Sequence, residues 1–497
     1  MKDKSYDEGL LQGDVSDPRI NASSRTTEVD KNLYLSKEQN KKEEEKKEEE
    51  KKAQLTPYRF IIVIIYFLLN FINGMHWITF ASCAAKFGKF YHLNNFSVDL
   101  FSLLFMILYP LCCIPEAFII DNISMKLGLN ISALLLIIGA FLKIFINTSI
   151  AFAYIGQFLT AVFQPAILNS PGKIAATWFD EKSRVLITSI CCSSNTIGIM
   201  IGFLIHNFVI EENIVNPKMF KDSFEFYIII EFIITAIFCL IFIFLMKNKP
   251  KNPPSLSQSN YNPIPLKKGI KQLISNINFI KLLISLTCIV GFINIFGTIF
   301  NSYMALYKIK DSIATYTAAT ANLFGILTAL IVGAIIDKFK NYKIAMIICN
   351  IISLVVFIIT SVLMEVIEKK NLGIISFICY SLIIGSAAPI YTSGMDYVCE
   401  ITYPVGESIS EGIIMSCNQI MGIIGIIICD SFRTYLKKYK FLTNIFCILL
   451  FIISLISLIL VKPKLVRTGK DTQQKIESDE EAQAFTNSSQ QNQSSTE

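Results

Sequence analysis

The stretch IIDNISMKLG, residues 119–128, decides the fold, because a related pattern returns in GAIIDKFKNYK, residues 333–343. Each stretch follows a long apolar run, and Asp121 and Asp337 lie 216 residues apart. Three further pairs recur in the same chain order at offsets of 217, 224 and 224: GMHW at 74 with GFIN at 291, Pro165 with Pro389, and Gly198 with Gly422. Together they indicate an internal repeat of about half the chain.

The composition is that of an integral membrane protein. Of the 497 residues, 53% are hydrophobic and 17% are charged, whereas soluble domains carry roughly 25% charged residues. Apolar runs approach or exceed the ~20 residues that a helix needs to cross a bilayer. Backbone N–H and C=O groups without a hydrogen-bond partner are costly in lipid, and a helix pairs these groups within itself. Twelve spans are predicted near 58–80, 97–119, 129–147, 150–170, 184–209, 224–246, 277–302, 311–336, 343–363, 371–394, 408–431 and 441–461.

The gaps between spans are short except at residues 247–276, which are rich in proline, serine and lysine. This linker separates six spans from six, so the sequence predicts an all-α membrane protein with two pseudo-symmetric six-helix bundles, 57–246 and 277–464. Residues 1–56, which include KKEEEKKEEEKK, and residues 465–497 are predicted to be disordered tails. Lysine and arginine are enriched on the side that holds the linker, which predicts that both termini are cytoplasmic.

Several function classes lack support in the sequence. It contains no HExxH, GxSxG or phosphate-loop motif, and its three histidines and thirteen cysteines show no metal-ligand spacing. We therefore expect no enzyme activity, no metal and no cofactor. The net charge of +6 arises from basic residues mixed with acidic ones in loops and tails, so we expect no nucleic-acid partner. A large ordered domain that would favour a receptor or sensor is also missing.

Six plus six spans, a polar linker and an acid-plus-basic loop after spans 2 and 8 resemble the major facilitator superfamily. Asp121 can face the N-terminus of span 11 and Asp337 that of span 5, where unpaired N–H groups favour negative charge. Such contacts would form when the cytoplasmic side closes. With Lys126, Lys340 and Glu400, the two aspartates are predicted to be gating residues; the alternative is that these charges only set the topology.

Longer segments resemble one subfamily, the feline leukaemia virus subgroup C receptor-related transporters of choline and ethanolamine, which have also been discussed as haem exporters. They include FINGMHWITF at 71–80, GQFLTAVFQPAILNSPGKIAATWF at 156–179 and CEITYPVGESISEGIIMSCNQIMGI at 399–423. The resemblance implies a monomeric transporter that moves a small polar metabolite across a lipid bilayer by alternating access. The membrane is either the plasma membrane or an intracellular one, and facilitated diffusion is preferred.

In that family a tryptophan of span 1, glutamines of spans 4 and 11 and a tyrosine of span 7 line the cavity. These positions fall on Trp77, Gln164, Gln419 and Asn294, and Asn73 joins them as a predicted substrate-binding residue. Asn294 departs from the family pattern and is also the repeat counterpart of Trp77. Because an ammonium cage needs aromatic faces, the asparagine makes choline doubtful and favours a primary ammonium, a hydroxyl or a carboxylate.

Two readings of Trp77 remain open. Asn70, Asn73 and Trp77 fall at i, i+3 and i+7, which predicts one polar stripe facing a cavity. Alternatively, Trp77 anchors the chain at the membrane interface, where tryptophan is enriched.

Four charges inside the spans are candidates for proton coupling by their position: Glu116, Lys143, Glu231 and Asp396. Glu116, Lys143 and Asp396 lie near span ends and could instead reach the lipid headgroups. Export of haem or an organic anion, and a non-transporting receptor, are the alternative functions.

Overall fold

A computed structural model describes residues 57–210, 216–251, 254, 264–307, 309, 311–366, 372–435, 441–462 and 465–469. The predicted N-terminal tail, most of the C-terminal tail and the middle of the linker lie outside these residues.

The described chain contains twelve helical spans with the length and apolar character needed to cross a membrane, the fourth of which, Ile150–Leu168, continues beyond α4 across a break. The twelve predicted spans are confirmed, with ends that differ by up to eight residues. The helices are α1 Tyr58–Ile78, α2 Asn95–Phe118, α3 Met125–Lys143, α4 Ile150–Val162, α5 Arg184–Val209, α6 Pro217–Leu245, α7 Ile277–Leu306, α8 Asp311–Phe339, α9 Tyr342–Val366, α10 Leu372–Thr402, α11 Glu407–Tyr435 and α12 Phe441–Ile459.

Polar side chains begin several of these helices. Asn94 accepts a hydrogen bond from the amide of Ser97 at the start of α2, and Ser124 accepts one from the amide of Leu127 at the start of α3. Such caps satisfy amides that have no partner within the helix. Between them α2 ends in a π-helical turn, Ile119–Ile123, which carries Asp121.

The helix of span 4 is interrupted at Phe163. After α4 the chain continues as a short helix, Gln164–Leu168, and then as a second one, Pro171–Trp178. Pro165 stands in the first turn of the first segment and Pro171 in that of the second, positions that tolerate a residue without an N–H group. The break leaves Gln164 at the first position of a new helix.

Equivalent helix pairs recur in the two halves of the fold, the N-half (α1–α6) and the C-half (α7–α12). A Cβ on Gly198 of α5 would overlap the carbonyl oxygen of Phe71 on α1, so this close approach requires glycine. Its repeat partner Gly422 on α11 faces Asn294 of α7, whose Cβ would lie 3.2 Å from a Cβ added there. The repeat in the sequence is thus a pseudo-symmetric pair of six-helix bundles.

The outer faces of the helices carry large apolar side chains. Leu111, Phe244 and Ile331 are 69%, 79% and 60% exposed. Exposed apolar surface of this kind is stable in lipid and not in water. The chain is a multi-pass integral membrane protein.

Two segments that the sequence predicts to be polar connections or tails contain helical structure. Residues 264–276, the end of the predicted linker, include the helix Leu266–Ser275, whose Leu273 is buried in the core of the C-half. Residues 465–469 were predicted to begin a disordered tail, but residues 466–469 form a helical turn and Arg467 is fully buried. In each case one side chain that packs inside the bundle orders a segment whose composition is otherwise polar.

Candidate functional site: contacts between the halves and buried polar residues

Asp121 joins the two halves at the end of the bundle that also holds residues 264–276, called here the linker side. Its carboxylate accepts hydrogen bonds from the amides of Ser408, at 3.3 Å, and Ile409, at 2.9 Å. Both amides belong to the first turn of α11. The predicted contact between Asp121 and the N-terminus of span 11 is present, and it crosses from the N-half to the C-half.

Asp337 makes the reciprocal contact. Its carboxylate accepts hydrogen bonds from the amides of Val185, at 3.1 Å, and Leu186, at 2.8 Å, in the first turn of α5. Lys340, one turn beyond, lies 3.2 Å from the same carboxylate and donates to the carbonyl of Glu181. Each half therefore places a carboxylate on a helix N-terminus of the other half, where the helix dipole favours negative charge.

The cation beside Asp121 is Lys173, which was not among the predicted gating residues. The ammonium of Lys173 lies 3.1 Å from Glu407 and 3.6 Å from Asp121. The backbone amide of Lys126 donates to Asn248 at 3.2 Å. Lys173 comes from the helix Pro171–Trp178, so it reaches the interface from a segment distant in sequence.

Glu400 belongs to a second group of buried charges on the linker side. Arg467 donates to Glu400 at 3.0 Å and to Asp396 at 3.1 Å, and Arg184 lies 4.0 Å from Glu400. Burial lowers the pKa of Arg467, but the carboxylates of Glu400 and Asp396 outweigh it and raise that pKa well above its usual range. The arginine is therefore charged and, together with Arg184, offsets the two negative charges.

Sequence reasoning missed the roles of Lys173, Arg184, Glu407 and Arg467. Lys173 and Arg184 appeared only as loop charges that set topology, and Arg467 appeared to belong to a tail. Two acids one turn apart on α10, Asp396 and Glu400, were the available signal that this helix needs a cation.

The predicted substrate residues begin on α1. Asn73 is fully buried, and neither its amide nitrogen nor its carbonyl oxygen has a hydrogen-bond partner in the described part of the chain. Trp77, one turn further, is half-buried. Asn70 departs from the predicted stripe, because its side chain donates to the carbonyl of Cys191 at 2.9 Å inside the N-half.

Gln164 is also buried, and its side-chain oxygen has no partner among the described residues. Glu116 holds the helix segment that carries it, because its carboxylate accepts a hydrogen bond from the amide of Ala166 at 2.8 Å. Buried polar atoms are almost always hydrogen-bonded in proteins, so unpartnered groups on α1 and beside α4 are candidates to bind a ligand.

The C-half contributes Asn294 and Gln419, which are both half-buried. Asn294 lies against Gly422 of α11, and Gly422 is one helical turn from Gln419. The two predicted residues are therefore neighbours on adjoining helices. Met106 of α2 reaches the same point, since its methyl carbon would lie 3.0 Å from a Cβ on Gly422.

The family model of the Major Facilitator Superfamily matches residues 62–426. The chain belongs to this superfamily. The solved structure of the transporter FucP in its outward conformation has a TM-score of 0.65 and 15% identity, and the match covers 82% of this chain and 100% of that one. At this identity the likeness shows the fold alone.

Curated relatives are membrane transporters. The chain is 25% identical over 378 residues to "Choline/ethanolamine transporter FLVCR1" of Felis catus, covering 74% of this chain and 67% of the relative. It is 28% identical over 383 residues to "Choline/ethanolamine transporter FLVCR2" of Homo sapiens, covering 74% and 70%. It is 25% identical over 394 residues to "Solute carrier family 49 member A3" of Danio rerio, covering 77% and 80%. The protein is a membrane transporter.

Of the four charged residues inside the spans, three were predicted to be able to reach the lipid headgroups. None of these three does so. Glu116, Lys143 and Asp396 are buried within the transporter, at 3%, 0% and 0% exposure, so that interpretation was wrong. Lys143 lies 2.7 Å from His76 and 3.3 Å from Glu231. This cluster pairs opposite charges inside the N-half, which buried charges require.

Replacing Glu116 with alanine is expected to weaken substrate binding by roughly tenfold, because the acceptor of the Ala166 amide is lost and Gln164 is less firmly held. Removing the partner of a buried hydrogen-bond donor costs about 1–3 kcal/mol. The half-saturation constant for uptake should rise while the amount of protein in the membrane stays near that of the wild type. An unchanged constant would show that Glu116 does not position Gln164.

Proposed function

We propose that this transporter moves a small organic amine, of the ethanolamine class, across the membrane by alternating access and down its gradient, as a monomer. The observation that carries the proposal is Asn73, a fully buried asparagine with no partner for either amide atom in the described chain. A group of this kind is costly in a helical bundle unless a ligand satisfies it. The printed names of the FLVCR1 and FLVCR2 relatives favour an amine.

The proposed site comprises Asn73, Trp77, Gln164, Asn294 and Gln419. Trp77 would offer its ring face to the ammonium, since a cation over an indole gains about 0.5–2 kcal/mol. Asparagine and glutamine side chains both donate and accept hydrogen bonds, so they suit a hydroxyl together with a primary ammonium. One aromatic wall with several amides favours ethanolamine over choline.

The contacts on the linker side would form the gate. Asp121 and Asp337 each hold a helix of the opposite half, with Lys340 and Glu400 beside them, so separation of the halves breaks both contacts together. In the described structure Lys126 has no hydrogen bond or ion pair to a helix of the C-half. We therefore assign to Lys173 the gating role that was predicted for Lys126. On this proposal, the structure is the state closed on the linker side.

We infer that the linker and both tails face the cytoplasm, on the bias of lysine and arginine toward that side. A cysteine in place of Gln258, in the linker, is expected to resist a membrane-impermeant maleimide added to intact cells and to react after permeabilisation. A cysteine in place of His92, in the connection between α1 and α2, is the matched control and should react without permeabilisation. Labelling of the Gln258→Cys protein in intact cells would overturn this topology.

The function is tested by uptake into liposomes that contain the purified transporter. Labelled ethanolamine, choline, an organic anion and haem are offered without a pH gradient, and saturable uptake of the amines is expected with ethanolamine preferred. A requirement for a pH gradient would replace facilitated diffusion with proton coupling. Uptake of the anion or of haem, without any amine, would overturn the proposal.

A further inference from the structure

Glu411 on α11 is a buried carboxyl group that neither the gate nor the proposed substrate site uses. Its side chain is fully inaccessible. It lies one helical turn from Glu407 of the gate and two turns from Gln419, or about 6 and 12 Å at 1.5 Å per residue. Its position on α11 is therefore between the closed gate and the proposed substrate site.

The two oxygens of Glu411 have different surroundings. Oε1 accepts hydrogen bonds from the amide of Gly172, at 3.0 Å, and from the thiol of Cys399, at 3.3 Å. Oε2 has no partner in the part of the chain that the structure describes. The neighbouring basic groups are engaged by other acids, Lys173 by Glu407 at 3.1 Å and Arg467 by Asp396 at 3.1 Å.

Helices of both halves meet around this carboxyl group. Tyr66 of α1, Tyr109 of α2, Cys192 of α5 and Tyr391 of α10 lie close enough to interact with it electrostatically. Glu411 therefore lies on the axis between the halves, where a facilitator carries its substrate, and does not face lipid.

The hydrogen bond from Gly172 to Glu411 crosses between the halves. Gly172 belongs to the N-half and Glu411 to the C-half, so opening of the linker side separates them and admits water to the carboxylate. Since a carboxylate without a cation is costly inside a membrane protein, the open state has a vacant position for a positive charge beside Glu411.

We propose that Glu411 is the counter-ion for the ammonium group of the substrate when the linker side is open. The inference rests on the proposed function and narrows the substrate class to cations with N–H donors, which a carboxylate binds by charge-assisted hydrogen bonds. Anions are repelled at the same point. The substrate thus passes from Trp77 and the amides at the centre to Glu411 on its way to the linker side.

Glu411→Gln tests this assignment, because the amide oxygen still accepts the Gly172 hydrogen bond while the charge is lost. Half-saturation by labelled ethanolamine is measured from the linker side in inverted vesicles and from the opposite side in right-side-out vesicles. We expect the linker-side value to rise at least tenfold and the opposite value to change less than threefold. Asp222→Asn, which removes an exposed carboxylate from α6, is the control and should match the wild type on both sides.

Each outcome decides the proposal. Equal half-saturation values in Glu411→Gln and wild type, with normal amine uptake, overturn the role of Glu411 and leave the proposed function intact. A lower thermal unfolding temperature with an unchanged half-saturation value would show that Glu411 has a structural role. If Glu411→Gln changes only the pH dependence of uptake, Glu411 is a proton site. Either result overturns the role of Glu411 as a counter-ion. Wild-type protein without saturable amine uptake overturns the proposed function as well.

If Glu411→Gln does not reach the membrane, Glu411→Asp replaces it in the test. Glu411→Asp is expected to raise the linker-side half-saturation value alone by at least threefold, and values equal to those of the wild type refute the assignment.

Discussion

Replacing Asp121 and Asp337 together with asparagine is expected to open the linker side of the transporter. Each carboxylate accepts two amide hydrogen bonds at a helix N-terminus of the opposite half. A negative charge at such a position contributes about 0.3–2 kcal/mol. Asparagine keeps a hydrogen-bond acceptor but loses the charge. The double variant should therefore lose this contribution at both sites, and it destabilises only the closed state, because the contacts exist only there.

The expected shift follows from that difference. Two losses of about 0.3–2 kcal/mol each sum to roughly 0.6–4 kcal/mol if the contacts act independently, and each 1.4 kcal/mol changes an equilibrium about tenfold. The ratio of open to closed transporter should therefore rise by roughly 3- to 700-fold. Cys399, which is 2% exposed and lies beside Glu411, would become reachable by maleimide at a correspondingly higher rate.

The measurement is the modification rate of Cys399 in lipid nanodiscs, assigned by mass spectrometry so that the other twelve cysteines can remain. Asp222→Asn removes an exposed aspartate from α6 at the opposite end of the bundle and is the matched control. The single variants should give intermediate rates. A rate in the double variant equal to that of Asp222→Asn would leave the two aspartates with only a topological role.

The contacts of Asp121 and Asp337 with the opposite half were predictable because they depend on the internal repeat. The repeat predicts which spans correspond, and the dipole of a helix N-terminus supplies the partner for each acid. The identity of the cation was not predictable in the same way. Lys126 lies near Asp121 in the chain, but the lysine that meets the acid in space is Lys173, which a helix break at Ser170 and Pro171 directs toward α11.

Arg467 shows a second limit of sequence reasoning. Its neighbours are polar and its segment resembles a tail by composition. The order of this segment comes from a tertiary contact, because Arg467 pairs with the buried acids Asp396 and Glu400 of α10 at 3.1 and 3.0 Å. Composition describes a local stretch of chain, whereas a counter-charge is a property of the folded interior.

The polar centre could be predicted only in part. Trp77, Gln164, Asn294 and Gln419 came from a resemblance to a family, and the structure shows Asn294 and Gln419 on adjoining helices. The side-chain directions on α1 could not be read from spacing alone. Asn70 faces α5 inside the N-half, although the periodicity put it on one stripe with Asn73 and Trp77.

Trp77→Ala is expected to reduce amine uptake per transporter by roughly 2- to 30-fold, the range that corresponds to a cation–π contribution of about 0.5–2 kcal/mol. Trp77 is half-buried at the end of α1, one turn from Asn73. Trp77→Phe keeps an aromatic face and should retain part of the activity. Uptake is divided by the amount of protein at the surface, so that loss of expression is not mistaken for loss of binding.

The interfacial interpretation of Trp77 makes the opposite prediction. An anchor in the headgroup region stabilises the position of α1 in the membrane, so its removal would lower expression or the thermal unfolding temperature. Uptake per molecule would then be unchanged. That result would contradict a cavity position for Trp77 and remove the aromatic wall from the proposed site.

Asn294→Tyr completes the test, because it places a second aromatic ring on α7 at the repeat counterpart of Trp77. Two ring faces make a better cage for a quaternary ammonium than one ring and an amide. The ratio of choline to ethanolamine uptake should therefore rise by roughly the 2- to 30-fold that one cation–π contact of about 0.5–2 kcal/mol supplies. The same substitution in a Trp77→Ala background should give a smaller change, since one ring alone cannot enclose the cation. An equal change in both backgrounds would mean that the two positions do not face one ligand.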